Sequence, residues 1–429
     1  MMSWSHSRFG HIILVVSLCS LVMAAPTARP AEDHAPLRAG IVKIDITPDK
    51  PVKMSGYAGR KELSTGIHDR LYARVVAFES GGQRLVLVSS DLIGFYQTYE
   101  PIRDAICAQF GLQPAELFLS STHTHSGPTP TLEEDGHPHN VEYTRSLKTK
   151  LLEAIGQALE RTGPVQMGIG RGYSPVGSNR REKQPDGSVK LGRNPYGPTD
   201  KEVLVIKLAK PNGAPIAALF DYATHATSLG PKNLQISSDV LGIAAQFVEK
   251  IQGPDLTAPA FAGASGDIDP WFRVLPGFEV EKGWIPETEL LGILLGEEVV
   301  HVFRGIQPTA SSAEIQASFA TLELPAKNTS EPADKAAAKK QLNVTVARIG
   351  DVGFVGVGCE LLTEIGMAIK NGSPFPHTFL ITHCNGRAGY LPPAHLYPEG
   401  GYEISSTGFA PEAADIVVQR TLQILQALK

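Results

Sequence analysis

The chain has 429 residues, 42% of them hydrophobic and 19% charged, with a formal net charge of −5 at pH 7. That length accommodates one large domain or two ordinary ones with a sizeable core. A slightly acidic chain with no dense Lys/Arg block argues against a nucleic-acid binder. Its longest apolar run lies near the N-terminus and is too short for a comfortable membrane span.

That run reads as a targeting segment. Arg8 supplies a positive start, Ile12 to Ala25 an apolar stretch, and Val22-Met23-Ala24 small residues suited to cleavage. The expectation is a signal peptide over residues 1–25 and an exported protein, periplasmic or secreted, with Cys19 discarded. Cys107, Cys359 and Cys384 then remain, an odd set that allows at most one internal disulfide and lacks zinc-motif spacing.

After a Pro/Ala-rich lead, compact sequence starts at Ala39-Gly40-Ile41. Strand-like runs are predicted near Ala39–Ile46, Leu71–Glu79, Arg84–Ser89, Glu116–Ser121, Val165–Gly170, Glu202–Lys207, Pro215–Tyr222 and Pro259–Ala262. Further runs follow near Ala313–Leu324, Leu342–Ile349, Gly353–Val357 and Thr378–Ile381. Helical periodicity marks Tyr99–Phe110, Val141–Arg161, Val240–Gln252, Thr288–Arg304, Leu361–Lys370 and Pro411–Ala427. Interleaved strands and helices predict an α/β fold, a mixed β-sheet core flanked by helices. Tyr173–Thr199, rich in Gly, Pro, Asn and Arg, reads as a long loop, and Ala333–Lys340 as a short surface helix or linker. No internal repeat is visible.

The most informative stretch is Ser120 to Pro128, Ser-Ser-Thr-His-Thr-His-Ser-Gly-Pro. Two histidines two apart after the apolar Leu117-Phe118-Leu119 would share a face if the strand ran on. Imidazole binds metals and moves protons near neutral pH, although solvated loop histidines are the bland alternative. Other candidates also follow strand-like runs. Asp91, His225, Glu360, His383 and Tyr390 lie beyond the carboxyl ends of separate strands, where sites form in helix-flanked sheets. Two imidazoles and a carboxylate with an open position make a catalytic zinc set. Each residue alone is weak, since Glu360 equally suits a helix N-cap and Ser237-Ser238-Asp239 a cap for the next helix.

Taken in order, these blocks resemble the neutral/alkaline (non-lysosomal) ceramidase family. The resemblance runs from Ala39-Gly40-Ile41 through Met54-Ser55-Gly56-Tyr57-Ala58, Gly66 to Arg74, and Thr122-His123-Thr124-His125-Ser126-Gly127-Pro128. It continues through Asn179-Arg180, Thr224-His225-Ala226-Thr227-Ser228, Gly266-Asp267 and Glu360 to Tyr390 and Tyr402-Glu403. It implies one catalytic Zn²⁺ per chain on His123, His225, Glu360 and Tyr390, with His125, Arg180 and Tyr402 facing the scissile amide. The family's serine nucleophile falls where this chain has Asp269, and its C-terminal β-domain is expected to be absent from the domain at 37–429.

The resemblance implies hydrolysis of an N-acyl amide of the ceramide kind. With the serine replaced, metal-activated water is the expected nucleophile and Asp269 its proton acceptor. A turn residue before Pro270 is the bland reading of Asp269, and Ser265 is a weaker nucleophile candidate. The expected partner is a lipid or small-molecule amide, with peripheral contact to membrane lipid. Hydrolysis of a smaller amide, ester or lactone stays open, as does a non-catalytic metal- or ligand-binding relative.

Overall fold

Most strands carry apolar residues at successive rather than alternate positions, and their surroundings explain it. In the computed structural model, which describes residues 1–2, 35–271, 287–327 and 338–429, these strands are buried on both faces. The chain divides into a unit Met1–Asp33 and a unit His34–Lys429 that holds every element below. The expected signal segment lies almost wholly outside the described residues. Among the described residues no helix is long and apolar enough to cross a membrane.

Three sheets are built alike. The first contains β1 (Arg38–Asp45), β2 (Tyr72–Ser80), β3 (Gln83–Ser90) and β4 (Leu117–Ser121), in the spatial order β4-β3-β2-β1, with Gly163–Pro164 added beyond β1. The second contains β5 (Gln166–Tyr173), β6 (Glu202–Ala209), β7 (Pro215–Tyr222) and β8 (Ala260–Ala262), in the order β8-β7-β6-β5. The third contains β9 (Ile315–Pro325), β10 (Lys339–Ile349), β11 (Val352–Val357) and β12 (His377–Ile381), in the order β9-β10-β11-β12. In each, three strands pair antiparallel and the last pairs parallel with its neighbour, as β3/β4, β7/β8 and β11/β12 do.

A parallel pair needs a crossover, and each sheet supplies a helix for it. The crossovers are α1 (Tyr99–Phe110), α3 (Asp239–Gln252) and α5 (Thr363–Gly372). A second helix closes each of the three sheet-and-helix units, all of them within His34–Lys429, namely α2 (Pro138–Glu160), α4 (Glu287–Gly305) and α6 (Ala413–Ala427). The topology therefore repeats three times, although the sequence shows no repeat.

The two-residue period of the strands divides each sheet between two cores. Val76, Phe78, Leu85, Leu87 and Phe118 of the first sheet meet Ile206, Leu219 and Phe261 of the second and Phe354, Phe379 and Ile381 of the third in one inner core. The opposite faces pack on each unit's own helices, for example Val75, Val86 and Leu119 on Leu151 and Ile155. Val205 and Phe220 meet Leu241 and Leu295 likewise, and Val346 and Val355 meet Ile369 and Val417. Gly40 lets β1 reach α2, because a Cβ there would lie 1.9 Å from the Ala158 carbonyl oxygen.

Two sequence expectations change. Tyr173–Thr199 is not a loop but carries a hairpin of Gly177–Lys183 and Val189–Asn194, with Ile268–Pro270 as a third strand. Its buried positions include Ser178, Asn179, Arg180 and Arg181, so no apolar alternation marks it. Lys339 and Lys340 open β10 rather than a surface helix, and residues 328–337 lie outside the described residues.

Arg74 of β2 ties the first sheet to the crossover helix of the second. Fully buried, it donates to Glu249 of α3 at 2.8 Å and to Asp91, just past β3, at 3.2 Å. Burial raises the Asp91 carboxyl to about 6 against the pull of Arg74. Asp91, expected among the strand-end site groups, is thus spent on the scaffold. Removing one member of a buried ion group strands the rest. Arg74→Leu is expected to lose about 3–5 kcal/mol of unfolding free energy in denaturant titrations, and an unchanged midpoint would remove the tie from this account.

Candidate metal centre and cleft

The parallel strands of all three units end together, and the segments beyond them form the site. His123 lies two residues past β4, His383 two past β12, and both have left-handed backbone, with φ of 61° and 52°. Their rings stack with centroids 3.6 Å apart. His225 and Glu360 each lie three residues past the middle strand of their parallel pair, β7 and β11. Left-handed backbone in a non-glycine residue costs free energy and clusters where surrounding structure imposes it.

Hydrogen bonds fix the tautomers. His123 Nδ1 lies 2.7 Å from the Ile93 carbonyl oxygen, and His225 Nδ1 lies 2.6 Å from that of Ser265. A carbonyl only accepts, so both Nδ1 atoms carry the proton. In a neutral ring Nε2 is then a bare acceptor. Burial, followed by the charge of Arg180, pulls the His225 pKa below the ordinary imidazole value.

Both Nε2 atoms face the same oxygen. Glu360 Oε2 lies 3.5 Å from His123 Nε2 and 3.3 Å from His225 Nε2, and it is buried without a hydrogen-bond donor. Burial alone would raise the Glu360 carboxyl, but His123 and then His225 hold it well below the usual carboxylate range. With both rings neutral, three acceptors face one another without a proton between them, which suits a cation. Tyr390 stands beside them because Glu360 and Tyr390 are register partners in a parallel two-strand ladder, Glu360–Leu361 with Tyr390–Leu391. Its Oη is 3.5 Å from His225 Nε2. Burial and then Glu360 push the Tyr390 phenol well above its ordinary pKa, a shift that a bound cation would oppose.

His125 also enters this pocket. Its Nε2 is 3.3 Å from His123 Nε2, and His123, His125 and His225 offer nitrogens within 4.8 Å of one another, a group able to hold a metal ion. Strand pleating does not put it there, since β4 ends at Ser121 and the backbone turns at His123. Instead, the His125 N–H donates to the Ala226 carbonyl at 3.0 Å, which joins the two histidine segments. Gly56 makes room, because a Cβ there would lie 2.4 Å from His125 Nδ1 and its φ is +98°. Burial, then His123 and His225, lower the His125 pKa far below the ordinary value.

Arg180, brought in by the hairpin, is 4% exposed and has three nitrogens engaged. Nη1 donates to Asp269 Oδ1 at 3.0 Å, Nε to Glu403 Oε1 at 2.9 Å and Nη2 to Tyr390 Oη at 3.2 Å. Although burial opposes the charge, Tyr390, Asp269 and Glu403 keep the guanidinium firmly protonated. Thr227 Oγ1 donates to the same Asp269 oxygen at 3.2 Å. Asp269 belongs to the strand Ile268–Pro270, opposite Ser178, rather than to a turn. Asp267 accepts from the Thr363 N–H at 2.8 Å and so caps the start of α5.

Two lobes open around these groups. The metal-facing lobe holds about 730 Å³ and is lined by His123, Glu360, His383 and Tyr96. The second holds about 800 Å³ and is lined by Arg180, Asp269, Thr227 and Leu191. His125, Tyr390 and Tyr402 border both. Seven of the eight candidate residues line this cleft, and His225 lies buried directly behind it, 3.3 Å from Glu360. The strand-end rule had already pointed to His383, which lines the pocket beside His123, whereas Glu403 and Thr227 were missed as site members. Ser265 lies behind the His225 ring, its Oγ buried without a partner. All three remaining cysteines are free thiols.

Fold and site together define an α/β protein with a histidine–carboxylate pocket fit for a metal ion. The family description "Neutral/alkaline non-lysosomal ceramidase, N-terminal" matches residues 37–270, and the chain belongs to that family. It is 28% identical over 250 residues to a neutral ceramidase of Oryza sativa subsp. japonica, covering 56% of this chain and 31% of that protein. It is 28% identical over 291 residues to that of Pseudomonas aeruginosa, covering 63% and 42%. Neutral ceramidase B of Dictyostelium discoideum is 31% identical over 252 residues, covering 54% and 35%. The matches thus span under half the length of these relatives. The crystal structure of the Pseudomonas aeruginosa neutral ceramidase superposes with a TM-score of 0.75 at 21% identity, covering 92% of this chain and 75% of that one, which shows a shared fold.

If Glu360, rather than His125, completes the ligand set, His123→Ala and Glu360→Ala should each lose bound metal by elemental analysis. His125→Ala should keep it, and loss of metal in that variant would move His125 into the set.

Proposed function

We propose that the protein is an exported zinc-dependent amidohydrolase that cleaves an N-acyl amide of the ceramide kind into a fatty acid and an amine. The observation that carries this is the pair of bare Nε2 atoms facing the orphaned Glu360 oxygen, in a chain of the ceramidase family. His123, His225, Glu360 and Tyr390 would hold one ion, and imidazole nitrogen with carboxylate and phenol oxygen suits Zn²⁺. When bound, the ion supplies Lewis acidity, polarising the amide carbonyl and lowering the pKa of water from about 15.7 to about 7.

The remaining work falls to the chain's own groups. The Asp269 carboxylate takes the proton of the attacking water and returns it to the departing nitrogen. Arg180 fixes that carboxylate, bridging it to Tyr390 through one guanidinium. Tyr402 Oη and the neutral His125 ring, at the saddle between the lobes, donate to the oxygen on which charge develops. Export is supported by the apolar run Ile12 to Ala25 with Arg8 before it. The exchange of serine for Asp269 also suits a smaller amide, ester or lactone, so chain-length dependence of turnover separates these substrates.

Asp269→Asn should retain metal and lose turnover by about 10²–10⁴. A fully active Asp269→Asn enzyme, or a covalent acyl group trapped on Ser265, would overturn the mechanism. Tyr402→Phe should slow turnover at unchanged metal content, and an unaltered rate would remove Tyr402 from the oxyanion contacts.

A further inference from the structure

The metal-facing lobe has a charge pattern that the hydrolytic reading does not use. Among the described residues lining it are two cations, Lys340 and Arg387, while Glu360 is the sole acid, already committed to His123 and His225. Arg387 is exposed and Lys340 half-buried. Neither side chain makes a hydrogen bond or ion pair to another described residue, and Lys340 Nζ rests 5.4 Å from the Phe409 ring centroid. Their charges act on the wall, Arg387 on Tyr96 and Lys340 on Cys359. A divalent cation at the histidines would add to the positive potential, which a concave low-dielectric wall concentrates.

A neutral head group would leave both cations to water alone. A cationic amine would meet like charge. An oxyanion matches both side chains, because the guanidinium offers a planar fork to carboxylate or phosphate and the ammonium a point charge. We propose that this lobe receives an oxyanion, a carboxylate or phosphoryl group carried by the substrate and bound by Lys340 and Arg387. This rests on the amidohydrolase reading and, since ceramide itself is neutral, shifts its substrates to N-acyl amides that carry an anionic group. Because both side chains reach water, the preference is moderate and salt-sensitive.

Calorimetric binding to the metal-loaded Asp269→Asn protein tests this without turnover. The probes are an N-acylglycine, the N-acylethanolamine of the same chain length, and that ethanolamide's phosphate ester. Both anionic probes should bind on the order of tenfold more tightly than the neutral one. The gap should shrink as salt rises and close in Asp269→Asn carrying Lys340→Gln and Arg387→Gln, with unfolding midpoints confirming folded variants. Tighter binding of the ester than of the glycine conjugate would assign a phosphoryl group, and the reverse a carboxylate. Equal or tighter binding of the neutral amide, a preference that survives the double substitution, or no binding of any probe would overturn the proposal. Turnover of the neutral amide by the unsubstituted enzyme without any gap would sink the anion site and leave the hydrolase reading standing. A gap without turnover of any probe would do the opposite.

Discussion

Two imidazole nitrogens and a carboxylate oxygen, all acceptors, are held face to face in a buried pocket with no proton to share. Each Nδ1–H is already given to a backbone carbonyl, which leaves each Nε2 bare. The Glu360 oxygen between them has no donor. Like acceptors at 3.3–3.5 Å repel unless a cation stands among them. The carbonyls of Ile93 and Ser265 thus do more than hold the rings, since they choose the tautomer that can bind a metal. They come from segments following β3 and β8, and Glu360 from beyond β11, so the arrangement uses strand ends from all three sheets.

The threefold topology makes that possible. A parallel pair sends two chain segments out at the same end of a sheet, and three such pairs around one inner core bring six segments together. Asn385, two residues past His383, braces the junction. It exchanges backbone and side-chain hydrogen bonds with Leu119 and Leu117 of β4 and donates to Thr345 of β10. Its own φ is 57°, so the positive-φ backbone at His123, His383 and Asn385 lies where the first and third units meet. The second unit adds the hairpin that delivers Arg180, whose guanidinium couples Asp269 and Glu403 to Tyr390. Rigid supports of this kind hold reacting groups where a loose loop would let them drift.

Much of this was legible in the sequence. Apolar runs located the twelve strands β1–β12 of the three sheets and helical periodicity the six helices α1–α6 that pack on them among the described residues, because buried sheets and amphipathic helices leave strong local signals. The repeat was invisible, since topology is conserved by packing geometry that many residue choices satisfy. The hairpin at Gly177–Asn194 was missed because its inward positions hold Asn179, Arg180 and Arg181, charged or polar groups satisfied by distant partners. Asp91 fitted the strand-end rule yet faces a buried Arg74, a partner no local pattern announces. His123, His225, Glu360, Tyr390, His125, Arg180, Tyr402 and Asp269 were named through resemblance more than through spacing. Only the three-dimensional structure gave the reason for the Glu360–Tyr390 pairing, their shared place in one ladder.

The central claim is that His123, His225, Glu360 and Tyr390 enclose one zinc ion. X-ray absorption at the zinc edge of the purified protein tests it most directly. The account predicts one zinc per chain with only nitrogen and oxygen neighbours, at about 2.0–2.2 Å, and histidine scattering equivalent to two rings. Sulfur ligation, scattering from three imidazoles, or a folded protein that takes up no zinc would contradict it.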